Sequence, residues 1–238
     1  MSIRWIHDFQ LFLFDFDGLL VDTERLHYAA YQRLCARHGA TLPWSFELYC
    51  SYAHVSATQV RDQLMEEFPS LRPLSWDALL YPEKKAIYQA LLLEKPVPLM
   101  PGVERLLRAL QEANIKRCVV THSARPDIIS IRASNPILDT IPHWITRECY
   151  THPKPHPEPY QQAMKMFAAP RDRAIGFEDT PRGIQALKPS GALPVLVSST
   201  HYDLKDTSLF DGVIHFSSFD AMPDQEWQPV TESGMLQT

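Results

Sequence analysis

Hydrophobic positions at the start of the chain form a short continuous run that ends in acidic residues. The run FQLFLF has the length of a strand buried on both faces, and DFDG follows it directly. From Thr23 to about Glu94 the apolar positions take helical spacing instead, with Gly39 as a helix stop and Ser56 and Gln59 as a capping box. No strand pattern interrupts this helical segment.

After Pro98 the pattern changes to helices and strands in alternation. Helical spacing is found in PGVERLLRALQEAN, RPDIISIRA, PEPYQQAMKMFA and RGIQALKPSG, and strand patterns in KRCVV, HWIT, AIGF and LPVLV. Such alternation predicts a parallel sheet covered by helices. We therefore predict an α/β fold in which residues 1–20 and 96–238 form the core domain and residues 21–95 form an inserted α-helical domain.

Composition and charge restrict the class of protein. The 238 residues are 45% hydrophobic and 21% charged, as expected of a soluble globular chain with one substantial core. A net charge of -5 argues against a general nucleic-acid binder. The run LFLF is too short for a membrane span or a signal peptide. The segment after Phe219 has few apolar residues and no periodicity, so we expect a loosely ordered tail.

The cysteines predict neither a zinc ribbon nor a redox dithiol. Cys35, Cys50, Cys118 and Cys149 are scattered along the chain without a CxxC pair. Reduced thiols in the cytoplasm are the simplest interpretation of this spacing.

Polar side chains follow four of the predicted strands. In open parallel sheets, ligands gather at the carboxyl ends of the strands. Each position alone has an ordinary interpretation as a turn, a helix cap or a helix start, but four successive strand ends together indicate a site. These positions are Asp15 and Asp17 after LFLF, Thr121 to Ser123 after RCVV, Lys154 in the loop after HWIT, and Glu178 and Asp179 after AIGF.

Lys154 lies in a loop that prolines make rigid. In THPKPHPEPY it stands between Pro153 and Pro155, which exclude it from a helix interior. A solvated loop lysine is the ordinary interpretation, and an ammonium fixed where negative charge develops is the alternative. His152 and His156 flank it, but the prolines exclude the helical turn that would bring the two histidines onto one face, so we do not predict a zinc site there.

Four segments resemble the signature segments of the haloacid dehalogenase superfamily, and more narrowly its β-phosphoglucomutase-like branch of phosphatases and mutases with a helical cap. The segments are FDFDGLLVDTERLH, VVTHS, KPHPEPY and GFEDTPRGIQALKPSGALPVLV. The resemblance is strong in the core and weak in the inserted helices. It implies a Rossmann-like core with a helical cap, and Mg²⁺ as the cofactor.

The resemblance also implies roles for individual residues. Asp15 would be the nucleophile and Asp17 the general acid and base. Thr121 and Lys154 would hold the phosphoryl group. His122 lies beside Thr121, where many relatives carry a small or amide residue, and it either shapes the phosphate loop or fills space. The predicted metal ligands are Asp15, Asp17, Glu178 and Asp179.

The chemistry explains why these residue types are needed. A carboxylate that attacks phosphorus forms an aspartyl-phosphate, and a second carboxyl can protonate the leaving oxygen and later deprotonate water. With Phe16 between them on an extended segment, Asp15 and Asp17 point to the same side. Each pair of like charges at ~4 Å costs about 4 kcal/mol at an effective dielectric constant of ~20, so a hard divalent cation and Lys154 are expected to offset the charge.

The inserted helices contain fewer interpretable residues. The resemblance implies that His27 matches a histidine that contacts the catalytic acid in the mutases. A helix residue that faces the core or the solvent is an equally good interpretation of His27. Lys84 and Lys85 resemble the cap position where a lysine of the mutase contacts the substrate. Two exposed lysines on a helix are the more common interpretation of such a pair. Ala57 stands where the mutase would have an arginine for the distal phosphate.

Together these residues predict an enzyme of phosphoryl transfer. We predict a magnesium-dependent phosphatase, acting on a small phosphorylated metabolite such as a sugar or polyol phosphate through an aspartyl-phosphate. A sugar-phosphate mutase is the alternative, and Ala57 counts against it. A non-catalytic binding module and a true dehalogenase are disfavoured by the complete set of predicted site residues and by Asp17. We predict no nucleic-acid or membrane partner, a monomer, and a cytoplasmic location.

Overall fold

A six-stranded parallel sheet forms the centre of the structure, a computed structural model that describes residues 3–200 and 207–225. The strand order is β3-β2-β1-β4-β5-β6, and every neighbouring pair is parallel. Because β1 lies between β2 and β4, the loops that follow these three strands meet at one edge of the sheet. The strands are β1 (Leu11–Phe14), β2 (Lys116–Val120), β3 (His143–Ile145), β4 (Ala174–Glu178), β5 (Leu193–Val197) and β6 (Ile214–Phe216).

The helices fall into two groups along the chain. Four of them follow β1, namely α1 (Glu24–Arg37), α2 (Phe46–Ala53), α3 (Ala57–Glu67) and α4 (Tyr81–Glu94), and a π-helical turn precedes α4. The others alternate with the strands, namely α5 (Val103–Glu112), α6 (Arg125–Ala133), α7 (Glu158–Phe167) and α8 (Pro181–Leu187). The helical segment and the alternation that follows it are therefore confirmed, while the domain boundaries remain a prediction.

Two local signals in the helical segment also take the predicted form. The Ser56 hydroxyl accepts a hydrogen bond from the backbone N–H of Gln59 at 3.0 Å, which satisfies a free donor at the start of α3. Gly39 has φ +74°, a left-handed conformation that favours glycine and ends the run of α1.

Both faces of β1 are buried, as its continuous apolar run predicts. On one face the rings of Phe12 and Phe14 stack on Phe177 of β4, with centroids 6.0 and 5.2 Å apart. On the other face Leu11 and Leu13 pack in a second cluster that contains Tyr160 of α7. Aromatic side chains bury large areas, and burial of apolar surface contributes about 25 cal/mol per Å². The core thus fixes the strand that positions the first acidic residues.

The C-terminal part of the described chain differs from the prediction. Strand β6, with the short sequence IHF, was not predicted. The prediction of a loosely ordered tail was wrong for residues 220–225. Trp5 Nε1 donates a hydrogen bond to the carbonyl of Pro223, and the N–H of Arg4 donates one to the carbonyl of Asp224. The rest of that predicted tail, residues 226–238, lies outside the described residues. Within the described ranges, no helix has the length and apolar character that a membrane span needs.

Candidate active site

The predicted residues at the ends of β1, β2 and β4 face one another across the edge of the sheet. The sheet register pairs Phe14 with both Val119 and Phe177, so the residues that follow these three strands start at the same level. The N–H of Asp15 donates to the carbonyl of Phe177 at 3.0 Å and continues this pairing by one residue. Parallel pairing therefore brings residues distant in sequence into one cluster.

Lys154 is buried in this cluster and is not a solvated loop lysine. Its side chain is 8% exposed, and its ammonium donates to Oδ1 of Asp15 and Oε1 of Glu178, each at 2.6 Å. The same nitrogen lies 2.8 Å from the carbonyl oxygen of Val120 and 3.1 Å from the hydroxyl of Tyr160, so its three N–H groups are shared among four acceptors. Burial alone would lower the pKa of Lys154, but the two carboxylates outweigh it and raise that pKa above its ordinary value.

The loop that carries Lys154 is held by a carboxylate at the start of α7. Glu158 accepts hydrogen bonds from the N–H groups of Thr151 and His152 at 2.8 and 2.9 Å, and these bonds lower the pKa of Glu158 to about 2. Tyr160, two residues further along α7, donates a short hydrogen bond to Glu178. The prolines, Glu158 and Tyr160 together fix the position of the lysine, and no sequence pattern pointed to Tyr160.

Asp17 is surrounded by hydroxyl groups. Its Oδ1 accepts from Thr23 at 2.9 Å, and its Oδ2 accepts from Ser123 at 2.5 Å and from Thr121 at 3.2 Å. Burial, and next the charge of Asp15, raise the pKa of Asp17, and the three hydroxyls oppose this shift without cancelling it. The two neighbouring carboxyl groups therefore have different partners, since Asp17 is surrounded by hydroxyls and Asp15 contacts the ammonium of Lys154.

Ser123 is a site residue to which the sequence assigned no role. Its hydroxyl contacts Asp17, and its N–H donates to the Thr121 hydroxyl at 2.9 Å. The N–H of Thr121 itself donates to the carbonyl of Ile145, which anchors the loop to the neighbouring strand. The only available signal was the position of Ser123 in the loop after β2, shared with Thr121 and His122.

Three of the four predicted metal ligands form a group that could hold a cation. One carboxylate oxygen each from Asp15, Glu178 and Asp179 lies within 4.8 Å of the other two. Burial raises the pKa of Glu178 to about 7, against the opposing charge of Lys154. Burial, and next the charge of Asp15, raise the pKa of Asp179 well above its ordinary value. The Asp17 side chain is outside this group, because its oxygens face the three hydroxyls.

The chemistry of this group fits Mg²⁺. Asp15 and Glu178 share the single ammonium of Lys154, which offsets the charge of these two carboxylates only in part. Oxygen ligands suit a hard divalent cation, and Mg²⁺ commonly combines one or two carboxylates with waters and substrate oxygens. A bound cation would also reverse the upward pKa shifts of Glu178 and Asp179, because their charged forms would gain a partner.

Two glycines allow the carboxylates to come this close to the backbone. A Cβ atom on Gly183 would lie 1.8 Å from Oε2 of Glu178, and a Cβ atom on Gly18 would lie 2.3 Å from Oδ2 of Asp179. Gly18 also has φ +76°, which side chains rarely adopt. Any larger residue at either position would displace a predicted metal ligand.

His122 lies at the rim of the cluster. The Tyr150 hydroxyl donates to the carbonyl of Thr121 at 2.9 Å, so Nδ1 of His122 must donate to that hydroxyl, also at 2.9 Å. Burial, and next the charge of Arg147, lower the pKa of His122. The imidazole thus supports the loop of Thr121 through Tyr150, and its contact with a phosphoryl group remains a prediction.

His27 and Lys84 meet each other on α1 and α4. Lys84 is 7% exposed, so the interpretation of Lys84 as an exposed helix lysine was wrong. Its ammonium donates to Nδ1 of His27 at 2.7 Å, and it lies 4.9 Å from the ring centroid of Tyr31. Burial lowers the pKa of Lys84 to about 8, and burial with the nearby Lys84 charge lowers the pKa of His27.

His152 and His156 lie close together although no helical turn joins them. Their ring centroids are 4.7 Å apart, and together with Glu158 they form a group whose ligand atoms lie within 4.8 Å of one another. Both histidines are exposed, and Glu158 is engaged by the backbone of the loop. The proximity follows from a turn of the loop rather than from a helix face.

Comparison with known proteins gives a family match and several relatives. A family model described as haloacid dehalogenase-like hydrolase matches residues 12–197. Among curated proteins, (DL)-glycerol-3-phosphatase 1, mitochondrial, of Arabidopsis thaliana is 29% identical over 223 residues, which cover 90% of this chain and 72% of the relative. Validoxylamine A 7'-phosphate phosphatase of Streptomyces hygroscopicus subsp. limoneus is 29% identical over 193 residues, which cover 81% of this chain and 87% of the relative.

A solved structure supports the fold independently. The crystal structure of β-phosphoglucomutase from Clostridium difficile matches with a TM-score of 0.67 at 23% identity, and the match covers 90% of this chain and 93% of the other. At this identity the likeness concerns the fold alone. The predicted α/β fold class with a Rossmann-like parallel sheet is confirmed.

Proposed function

The chain belongs to the haloacid dehalogenase-like hydrolase family, and from this premise we propose that it hydrolyses a phosphomonoester through an aspartyl-phosphate on Asp15, with Mg²⁺ as the cofactor. The predicted family and the predicted phosphohydrolase class are confirmed by the family match and by the named phosphatases among its relatives. We propose a small phosphorylated sugar or polyol as the substrate. The names of the glycerol-3-phosphatase and of the validoxylamine phosphatase support this class.

The observation that carries the proposal is the contrast between two neighbouring carboxyl groups. Asp15 forms an ion pair with the ammonium of Lys154 at 2.6 Å. Asp17 has a raised pKa and is held by three hydroxyls. A carboxylate paired with an ammonium suits the nucleophilic role, and a carboxyl group with a raised pKa suits the acid–base role.

The first chemical step follows from these positions. A carboxylate oxygen of Asp15 attacks phosphorus, the new O–P bond forms, and the bond from phosphorus to the alcohol oxygen breaks. The leaving oxygen takes the proton of Asp17, so that a neutral alcohol departs. Lys154 would lie beside the attacked phosphoryl group, where its charge would offset the negative charge that develops on the oxygens.

The second step restores the side chains. A water oxygen attacks phosphorus while the Asp17 carboxylate accepts the water proton, and the bond between phosphorus and Asp15 breaks. The products are inorganic phosphate, the Asp15 carboxylate and a protonated Asp17, which is ready for the next cycle. The hydroxyls of Ser123 and Thr121 keep Asp17 in position during both steps.

Asp15, Glu178 and Asp179 would hold the magnesium ion. When bound, Mg²⁺ would neutralise charge on the phosphoryl oxygens and orient the group for attack. Lys154 and Tyr160 both donate hydrogen bonds to Oε1 of Glu178. These two bonds fix the orientation of the Glu178 carboxylate toward the other proposed metal ligands. Removal of one of these contacts should therefore affect the metal requirement as well as the rate.

The inserted helices are proposed to select the substrate. The buried ammonium of Lys84 donates a hydrogen bond to His27, and the role of both residues toward substrate is part of the proposal. Ala57, the first residue of α3, offers no charge for a second phosphate and counts against the mutase alternative. We therefore retain hydrolysis as the proposed reaction.

A panel experiment tests the function. The purified chain is incubated with Mg²⁺ and phosphorylated sugars, polyols and nucleotides, while free phosphate and sugar isomers are measured together. Release of phosphate that is lost in Asp15→Asn is expected, with circular dichroism to confirm that the variant is folded. Isomer formation without phosphate would establish the mutase instead, and identical turnover in Asp15→Asn would refute the proposed nucleophile.

The location and assembly of the chain are separate proposals. Cys35, Cys50, Cys118 and Cys149 are free thiols, which agrees with the reducing conditions of the cytoplasm. We propose a monomer in the cytoplasm that takes small phosphorylated molecules as its partners. Size-exclusion chromatography with light scattering tests the monomer, and fluorescent tagging at the native locus tests the location.

A further inference from the structure

A second group of side chains that could hold a metal ion lies on the inserted helices and shares no residue with the group of core carboxylates. Glu24 is the first residue of α1, and Cys50 and His54 are four residues apart at the end of α2. One ligand atom of each residue lies within 4.8 Å of those of the other two. The N–H of His54 donates to the carbonyl of Cys50 at 3.0 Å, so helical geometry places both side chains on one face.

Glu24 provides an independent indication of a bound cation. Among the residues described, 3–200 and 207–225, its Oε2 is one of three buried side-chain atoms without a hydrogen-bond partner. The hydroxyl of Tyr49 donates to the Glu24 carboxyl group. A buried carboxylate oxygen that lacks a donor is unfavourable unless a cation or another partner satisfies it.

We propose that Glu24, Cys50 and His54 bind a zinc-class divalent cation. The donor set of one carboxylate oxygen, one sulfur and one imidazole nitrogen is typical of Zn²⁺ and related transition metals. Mg²⁺ prefers oxygen ligands alone, so this site and the core carboxylates select different ions. The proposal stands independently of the proposed phosphatase activity, because it concerns binding by residues outside the reaction steps.

The site has room for a further ligand. Glu24, Cys50 and His54 line a cavity of about 140 Å³, which Gly18, Asp179 and Ser198 also line. Three protein ligands with an open fourth position are the arrangement of zinc sites that bind water or substrate. A water, or an oxygen of a small molecule in this cavity, would complete a tetrahedral site beside the core carboxylates.

The protonation states agree with ligation of this kind. Burial, and next the charge of Arg182, lower the pKa of His54 to about 4, which favours the neutral imidazole that metal ligation requires. Burial and the charge of Glu24 raise the pKa of the Cys50 thiol to about 12. A coordinated cation deprotonates a thiol outright, so ion binding would release a proton from Cys50.

Metal titration of the full chain tests the site. The chain is freed of metals with a chelator, saturated with Mg²⁺, and titrated with Zn²⁺ by calorimetry and with Co²⁺ by absorption. We expect one Zn²⁺ per chain that Mg²⁺ does not displace, and a thiolate-to-cobalt charge-transfer band. Cys50→Ser should remove the band and weaken zinc binding at least about tenfold, since loss of even an outer-shell partner of a metal ligand costs about 10–100-fold.

Matched variants distinguish this site from the other thiols and histidines of the chain. Cys35 is a buried thiol of α1 outside the group of Glu24, Cys50 and His54. Cys35→Ser should therefore retain both the zinc binding and the cobalt charge-transfer band. His54→Gln is a second ligand variant at a partly exposed position, with thermal unfolding in metal-free buffer to show that each variant is folded. The proposal is overturned if Mg²⁺ displaces the zinc, if Cys50→Ser and His54→Gln bind zinc like the unchanged chain, or if binding is lost in His156→Gln instead.

Discussion

The Nζ atom of Lys154 lies 2.6 Å from Oδ1 of Asp15, although 139 residues separate them in the chain. The same ammonium lies 2.6 Å from Oε1 of Glu178. One buried cation therefore contacts both the proposed nucleophile and a proposed metal ligand. This shared contact couples the charge of the nucleophile to the position of the metal site.

Replacement of Lys154 by Met should affect both catalysis and stability. Loss of one preorganised donor to developing negative charge typically lowers kcat about 10²–10³-fold. Two buried carboxylates would also lose their cation, and breaking a buried ion pair typically costs about 3–5 kcal/mol. Steady-state kinetics and urea unfolding in chelator measure the two effects. Lys165→Met, at an exposed lysine of α7, is the control and should change neither quantity.

Asp17→Asn should separate the two chemical steps. Asn cannot supply or accept the proton, and general acid–base catalysis contributes about 10²–10⁴-fold. With p-nitrophenyl phosphate, whose leaving group needs no proton, we expect a burst of nitrophenol followed by very slow turnover, because the aspartyl-phosphate accumulates. Asp15→Asn should give no burst. Rapid-mixing absorbance measures the burst, and steady turnover at the unchanged rate in Asp17→Asn would contradict the acid–base role.

The fold could be predicted from the sequence because its central strands are buried on both faces. β1 and β4 appear as continuous apolar runs, and each ends at an acidic residue. β6 was missed because a three-residue strand with one exposed position gives no measurable period. Short edge strands depend on pairing with a neighbour, which only the folded chain reveals.

The site was predictable only where topology alone brings residues together. Asp15, Lys154 and Glu178 follow strands of one parallel sheet, so their meeting at its edge could be inferred. Ser123 contacts Asp17 across 106 residues through its side-chain rotamer, which no sequence pattern specifies. The buried state of Lys84 was missed for a similar reason, because α4 carries apolar residues on several faces and its spacing does not identify the buried one.

Gly183→Ala should weaken magnesium binding specifically. The added methyl group would lie 1.8 Å from Oε2 of Glu178, so the carboxylate or the start of α8 must move. We expect the Mg²⁺ concentration for half-maximal activity to rise about 10–100-fold, as for loss of a partner of a metal ligand, while activity recovers at high Mg²⁺. The measurement is the activity of the variant and of the unchanged chain as a function of Mg²⁺ concentration. Gly39→Ala, where an added Cβ meets nothing within 4 Å, should leave the requirement unchanged.

Lys84→Met should stabilise the chain near neutral pH. Burial lowers the pKa of Lys84 from 10.5 to about 8, so the folded state disfavours its charge. Below about pH 8 the full cost applies, about 3 kcal/mol at 1.36 kcal/mol per pKa unit. Met removes this cost but loses the cation–π contact with Tyr31, which is worth about 1–2 kcal/mol, and the hydrogen bond to Nδ1 of His27, which is worth about 1 kcal/mol. We expect a net gain of at most about 1 kcal/mol in the free energy of unfolding at pH 7.

The pH dependence of this gain tests its cause. Between about pH 8 and 10.5 the unfolded state binds more protons at Lys84 than the folded state, so the stability of the unchanged chain rises with pH through this window. The advantage of Lys84→Met should therefore shrink from pH 7 to pH 10 in urea unfolding. Lys85→Met, at the exposed neighbour on α4, should show no such trend. A fall in kcat/KM for Lys84→Met alone would support substrate contact, because it would mean that this lysine serves activity at the expense of stability.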